Sequence, residues 1–310
     1  MNVSKTIMLT VLVISMTMLA WTSHAEESLI PKEMVYVGHG PSMMGLDKGE
    51  PAELGGKLTA YDRRMKTPWS AEALNDEGPA HMVFLDSYLI DMYEVSNKDY
   101  GDFIRTKEHP APAYWDDPRL NKPEQPVVGM NWEEAKIFCE YRGKRLPTEA
   151  EWEKAARGTD GRRYPWGNEW DLQLANSASY WVGHTVEFDS GADWNAFWIK
   201  GEGGRIAKEK GIKGEVLTMP VGSFPAAASP YGLLDMAGNV AEWVQDWYDP
   251  NYYRSAPLTN PSGPDRGAIK SMRGGSWLKP AVSLRTSDRD WGTMDSRPSG
   301  TGFRCAKDAY

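Results

Sequence analysis

Along the chain, apolar residues recur at helical spacing only in the first half. Tyr100, Phe103 and Ile104 share one face of a segment that Ser96 can cap, with Asp99 at the capping-box position. This predicts a helix to about Thr106. Asn131 caps a second helix to about Tyr141, whose buried stripe is Trp132, Ala135, Phe138 and Cys139. Thr148-Glu149-Ala150-Glu151 is a capping box that opens a third helix, and Gly158 ends it. Glu33 to Val37, followed by Gly38-His39-Gly40-Pro41, reads as a short strand and a turn. His81 to Ile90 reads as one half-buried strand with Met82, Phe84, Tyr88 and Ile90 as its apolar set. Residues 46–80 show no clean period and read as a surface excursion. After Arg163 the chain is rich in Gly, Pro, Asn and Trp without helical period, which predicts a long irregular half. No tandem repeat is found, and one domain is expected.

The first 25 residues stand apart from this pattern. Lys5 precedes an apolar run from Ile7 to Trp21, and Ser23-His24-Ala25 offers small residues flanking a cleavage point. The segment reads as a secretory signal peptide cut after Ala25. The run is short for a membrane span, and no cysteine follows it to carry a lipid. A periplasmic or secreted protein, with no membrane span after cleavage, is the expectation.

Composition adds two constraints. The 310 residues carry 25% charged and 41% hydrophobic side chains, enough for a packed core. The net charge of −8 gives no case for nucleic acid or an anionic membrane. Fourteen Trp and fourteen Tyr beside 30 Gly and 21 Pro suggest irregular segments held together by aromatic packing.

Six motifs then occur in order: Gly143 to Glu153, Tyr164-Pro-Trp-Gly-Asn168, Pro220-Val-Gly-Ser223, Asp235-Met-Ala-Gly-Asn-Val-Ala-Glu-Trp243, Arg273-Gly-Gly-Ser-Trp277 and Gly302-Phe-Arg-Cys-Ala306. Together with Glu94-Val-Ser-Asn97 and Met34 to Gly45, they resemble the formylglycine-generating enzyme family, also called the sulfatase-modifying-factor family, over residues 33–308. The resemblance implies an α+β fold: a single irregular C-type-lectin-like domain with little regular secondary structure.

The same resemblance bears on chemistry. Enzymes of the family hold copper with two cysteines shortly after Gly-Gly-Ser and oxidise a sulfatase cysteine to formylglycine with dioxygen. Here the matching positions are Lys279 and Leu284, neither of which can supply a thiolate to Cu(I), so copper is not expected. Ser276 of the oxygen pocket is retained, while Ala241 replaces the pocket's Trp. Arg273, Ser276, Lys279 and Arg285 are the candidate catalytic residues of what remains. Cys139 and Cys305 match positions that form a structural disulfide, as an even pair in an exported chain should. A structural calcium ion is implied at the side chains of Asp235 and Glu242 and the carbonyls of Gly238 and Val240; the plainer reading is a capped turn. A second calcium set would begin at Asn176 and the Ser177 carbonyl, with Asp189 the nearest further ligand.

Residues 181–216 depart from the family pattern. Their aromatics, Trp181, Phe188, Trp194, Phe197 and Trp198 among them, read as a satellite core beneath a loop, the alternative being an exposed binding groove. Glu149, Glu151 and Glu153 resemble catalytic carboxylates, but their place in a helix's first turns points to its dipole. No histidine pair among His39, His81, His109 and His184 has metal-ligand spacing. No P-loop, nucleophile elbow or dinucleotide turn is present. The expected function is that of an exported maturation enzyme or accessory factor, monomeric, acting on a periplasmic protein or peptide-derived product. Exported relatives without the cysteine pair work in this way in pyoverdine maturation. The alternative is a non-catalytic, calcium-stabilised binding module.

Overall fold

The computed structural model describes residues 33–46, 76–186, 188 and 191–309. The leader, Asp189 and most of the expected excursion at 46–80 lie outside these residues. The described chain runs β1 (Met34–Val37), β2 (Gly40–Met44), β3 (His81–Leu85), β4 (Tyr88–Asp91), α1 (Asn97–Lys107), α2 (Trp132–Tyr141) and α3 (Glu149–Arg157). It continues through α4 (Ala178–Val182), α5 (Gly191–Ile199) and α6 (Glu202–Lys213) to β5 (Ala241–Trp247), β6 (Ile269–Arg273), β7 (Asp290–Thr293), β8 (Thr301–Gly302) and β9 (Ala306–Asp308).

The first three helices start where their caps place them. Ser96 Oγ accepts from Asp99 N, and both Asn131 and Thr148 form reciprocal capping boxes with Glu134 and Glu151. Gly158 terminates α3. Strand order is β1-β4-β9 in one sheet, β2-β3 in a ribbon and β7-β6-β5-β8 in a third sheet. Because β9 pairs antiparallel with β4, the C-terminal segment closes onto the N-terminal sheet. One core cluster gathers Val37, Ile90, Trp152, Leu233 and Met236 around α3. A second gathers Tyr100, Phe103, Phe138, Trp243 and Phe303, and within it Cys139 and Cys305 are disulfide-bonded. Arg304, between Phe303 and Cys305, is therefore fixed at the junction of α2, β4 and β5.

Two expectations are corrected. His81 to Ile90 is two strands broken at Asp86-Ser87, and the faces invert across the break. Val83 and Leu85 are buried while Met82 and Phe84 are 41% and 42% exposed; beyond the break, Tyr88 and Ile90 point inward as expected. All four residues of β3 after His81 are apolar, so alternation alone could not choose the face. The second correction is that the region after Arg163 contains three helices. The glycines of α6 disguise it. A Cβ at Gly203 would stand 2.2 Å from the Phe197 ring and one at Gly204 2.2 Å from the Trp198 carbonyl oxygen. Those positions are glycine because α5 approaches so closely, at a cost in helix propensity.

Candidate functional site

The loop from Asp235 to Glu242 is tied down on all sides. Asp235 and Asn239 adopt left-handed backbone conformations, at φ 58° and 60°. Gly238, at φ 81°, leaves no room for a side chain, since a Cβ would lie 2.4 Å from the Asn176 carbonyl oxygen. Gly238 N donates to Gly274 O at 2.8 Å and Asn239 N to Asn176 O at 2.9 Å, which straps the loop between the Gly-Gly-Ser segment and Asn176. The Asn239 side chain continues the strap. Its Oδ1 accepts from Asn176 Nδ2 (3.0 Å) and Met219 N (2.9 Å), and its Nδ2 donates to Glu94 Oε2 at 2.7 Å. Val240 N donates to Glu94 Oε1 at 3.2 Å.

β5 then carries Glu242 inward. Its two carboxylate oxygens accept from Arg304 Nε and Nη2, each at 2.8 Å, and Oε2 also accepts from Trp152 Nε1 at 2.8 Å. The other Arg304 bonds go to the carbonyls of Asp91, Met92 and Leu234. Glu94, Asp235 and Glu242 are thus three buried carboxylates within electrostatic reach of one buried guanidinium. Burial pushes the Asp235 carboxyl up to about 6, with Glu242 adding to the shift and the Gly222 N–H and Arg304 opposing it. Burial, then Asp235 and Glu242, push Glu94 well above the carboxylate range, against Arg304 and Asn239. Fully ionised, the group carries two negative charges more than Arg304 neutralises. That imbalance is costly away from water.

A divalent cation with oxygen ligands suits this charge, and two orphaned atoms among the described residues are available as oxygen donors. Asp235 Oδ1 and Asn176 Oδ1 are both buried acceptors without a hydrogen-bond partner. Each belongs to one of the two calcium sets expected from the sequence. Among the described residues no three His, Cys, Asp or Glu side chains converge closely enough to hold a metal by themselves, so backbone carbonyls would have to complete the shell. Two of the candidate ligands also carry other bonds. Glu242 is the ion-pair partner of Arg304 as well as a candidate ligand. Ser177 is committed to α4, its Oγ accepting from Tyr180 N and its carbonyl from Trp181 N.

The candidate catalytic residues differ in burial and in partners. Arg273 is fully buried. Its Nη2 lies 2.6 Å from Glu153 Oε2, its Nη1 3.4 Å from Glu149 Oε1, and it donates to the Thr286 and Ser287 carbonyls. Arg285 forks onto Glu77 at 2.8 and 2.6 Å. Both arginines are thus engaged in buried ion pairing. This pairing also explains Glu149 and Glu153, which the helix dipole alone does not. Burial would raise the Glu149 carboxyl, but Arg289 and Arg273 overcome that and hold it below its ordinary value. Leu284 is a core residue against Gly238 and Gly275. Ser276 is buried, with Leu278 N 3.4 Å from its Oγ. Lys279 remains partly accessible, its side chain 22% exposed and its Nζ 3.1 Å from Asp290 Oδ2. Burial works against its charge, but Asp290 beside it holds the ammonium pKa above its ordinary value.

The 181–216 segment covers this loop. Trp194 Nε1 and Trp198 Nε1 both donate to the Leu278 carbonyl, at 2.9 and 3.0 Å, and Trp198 meets Trp277 edge-on with centroids 5.2 Å apart. Phe188 is buried among Val182, Trp194, Phe197 and Trp198, so the aromatics form a satellite core. Two clefts, one beside His39, Arg145 and Asp308 and one beside Trp132, Trp247 and Lys270, contain none of the expected site residues.

An irregular α+β domain with a strapped acidic loop beside a Gly-Gly-Ser turn is the class that fold and site define. The family model for the sulfatase-modifying factor enzyme 1-like domain matches residues 22–309, and the chain belongs to that family. It is 33% identical to the formylglycine-generating enzyme of Thermomonospora curvata, covering 75% of this chain and 86% of that enzyme. It is 31% identical to the mouse inactive C-alpha-formylglycine-generating enzyme 2, over 75% of this chain and 79% of that protein. Among solved structures it is similar to PvdO from Pseudomonas aeruginosa, with a TM-score of 0.63 and 23% identity over 89% of this chain and 94% of that one. That likeness concerns the fold.

Residues that sequence reasoning missed are Glu94, Arg304, Asn239 and Trp152. All four lie inside quoted motifs, so the signal was present. What was lacking was any indication that these motifs meet.

Proposed function

We propose that the chain is an exported maturation or accessory factor that does not oxidise cysteine to formylglycine. It acts on a periplasmic protein or peptide-derived product at the surface around Lys279, and calcium stabilises it as a monomer. One observation carries the reading: where catalytic relatives place copper-binding thiolates, this chain has a Lys279–Asp290 ion pair and a buried Leu284. Its only two cysteines, Cys139 and Cys305, are bonded to each other. An ammonium beside the site repels a metal cation, and a thioether-free, thiol-free loop offers Cu(I) no soft donor. Likeness to a mammalian protein named as inactive agrees with this.

The expected calcium ligands are the Asp235 and Glu242 side chains with the Gly238 and Val240 carbonyls. Calcium supplies charge neutralisation there, while Asn239 and Gly238 hold the loop in the shape that turns carbonyls inward. Burial of Arg273 and Arg285 favours a second reading, a binding module without chemistry. The test of the main reading is incubation with copper, dioxygen and a Cys-x-Pro-x-Arg peptide. No aldehyde above the buffer control is expected, and aldehyde formation would overturn the proposal. Periplasmic pull-down with wild type and Lys279→Ala then separates a partner bound at this loop from one bound elsewhere.

A further inference from the structure

The family resemblance assigns calcium to Asp235, Gly238, Val240 and Glu242 and gives Glu94 no part. The geometry argues otherwise. Glu94 is only 3% exposed, in the connection between β4 and α1, and both its oxygens are aimed into the strapped loop. Oε2 receives the Asn239 amide N–H at 2.7 Å and Oε1 the Val240 backbone N–H at 3.2 Å. Two N–H donors meet its two oxygens, an arrangement that a carboxylate satisfies on both sides, while burial and the neighbouring carboxylates disfavour that charge so long as no cation balances it. Arg304 already neutralises Glu242 through two bonds, and no other cation is bonded to Glu94 in the described structure. Asp235 adds a further carboxylate whose Oδ1 has no partner.

We propose that Glu94 is the third negative charge of the cation site. Resting on the calcium reading above, the role is to supply charge from behind the loop, one bond removed from the ligating carbonyls. A dication then balances Glu94 and Asp235 while Arg304 balances Glu242. Without Glu94 the site carries one negative charge against an ion that needs two. Affinity for a hard dication falls steeply with ligand charge count, and residues one step behind the ligands are typically worth about 10–100-fold in affinity.

The test is calorimetric titration of calcium into chelator-treated protein. Glu94→Gln keeps the shape and removes the charge; Glu94→Asp keeps the charge. The proposal expects Glu94→Gln to bind at least tenfold more weakly than wild type, and Glu94→Asp to stay within about threefold. A Glu94→Gln affinity within twofold of wild type overturns it. So does an equal loss in both variants, which would mean that side-chain length matters and charge does not. Should Glu94→Gln fail to fold, Glu94→Asp alone decides: a tenfold loss overturns the proposal, and near-wild-type affinity upholds it. No calcium heat in wild type is a different result, since it defeats the calcium reading itself.

Discussion

Arg304 grips Glu242 through two 2.8 Å hydrogen bonds, one residue before the cysteine that ties the C-terminal segment to α2. The covalent bridge and the buried ion pair therefore lock the same stretch, and the candidate cation loop sits directly against it.

Breaking that pair should cost more than losing a ligand. Glu242→Gln leaves Arg304 buried with its partner's negative charge gone, and removal of one member of a buried pair typically costs about 3–5 kcal/mol. Urea denaturation in chelator should show this loss in full, before calcium is considered. Asp235→Asn is the cleaner probe of calcium, since Asp235 forms no salt bridge among the described residues; it should spare stability in chelator and reduce the calcium-dependent rise in Tm. An unchanged rise in Asp235→Asn would exclude that residue as a ligand.

Stability without calcium should fall as pH rises from about 4 to 7. Burial raises the Asp235 carboxyl from 3.8 to about 6 and Asp76 from 3.8 to about 7. Between the unfolded and folded values the native state binds more protons than the unfolded one. The contribution is therefore complete below the unfolded pKa and lost as pH passes the folded one. Calcium should remove the Asp235 part of this slope and leave the Asp76 part. Urea midpoints at pH 5 and pH 8, with chelator and with calcium, measure both; identical slopes in the two series would contradict the assignment.

The disulfide closes a separation of 166 residues. In the chain-entropy model a loop of that size contributes about 5 kcal/mol, an upper figure. Alkylation of native protein without reductant should add no mass. Cys139→Ala/Cys305→Ala should lower the urea midpoint strongly, and a drop of less than about 1 kcal/mol would count against the entropic account.

Leu284 is fully buried between Gly238 and Gly275. Leu284→Ala should destabilise by about 2–5 kcal/mol through the cavity it leaves. Trp198→Phe should do less globally. By removing one donor to the Leu278 carbonyl and trimming the contact with Trp277, it should raise amide hydrogen exchange across α5 and α6 ahead of the rest. Uniform acceleration across the whole chain would show that the cover is not a separable unit.

The sequence determined the local devices. Caps at Ser96, Asn131 and Thr148 and the stop at Gly158 depend on neighbours within four residues, so spacing alone placed α1 to α3. The ordered motifs likewise placed the chain in its family, and with it the fold. Tertiary structure decided what depends on residues far apart in the chain. The inward face of β3 is set by its partners. The glycine-rich α6 is helical because α5 packs against it. Arg273 and Arg285 became buried struts because Glu149, Glu153 and Glu77 converge on them from more than a hundred positions away. Glu94 acquired its place beside the cation loop for the same reason: 145 residues separate it from Asn239, and no local pattern encodes which distant charge a buried carboxylate will meet.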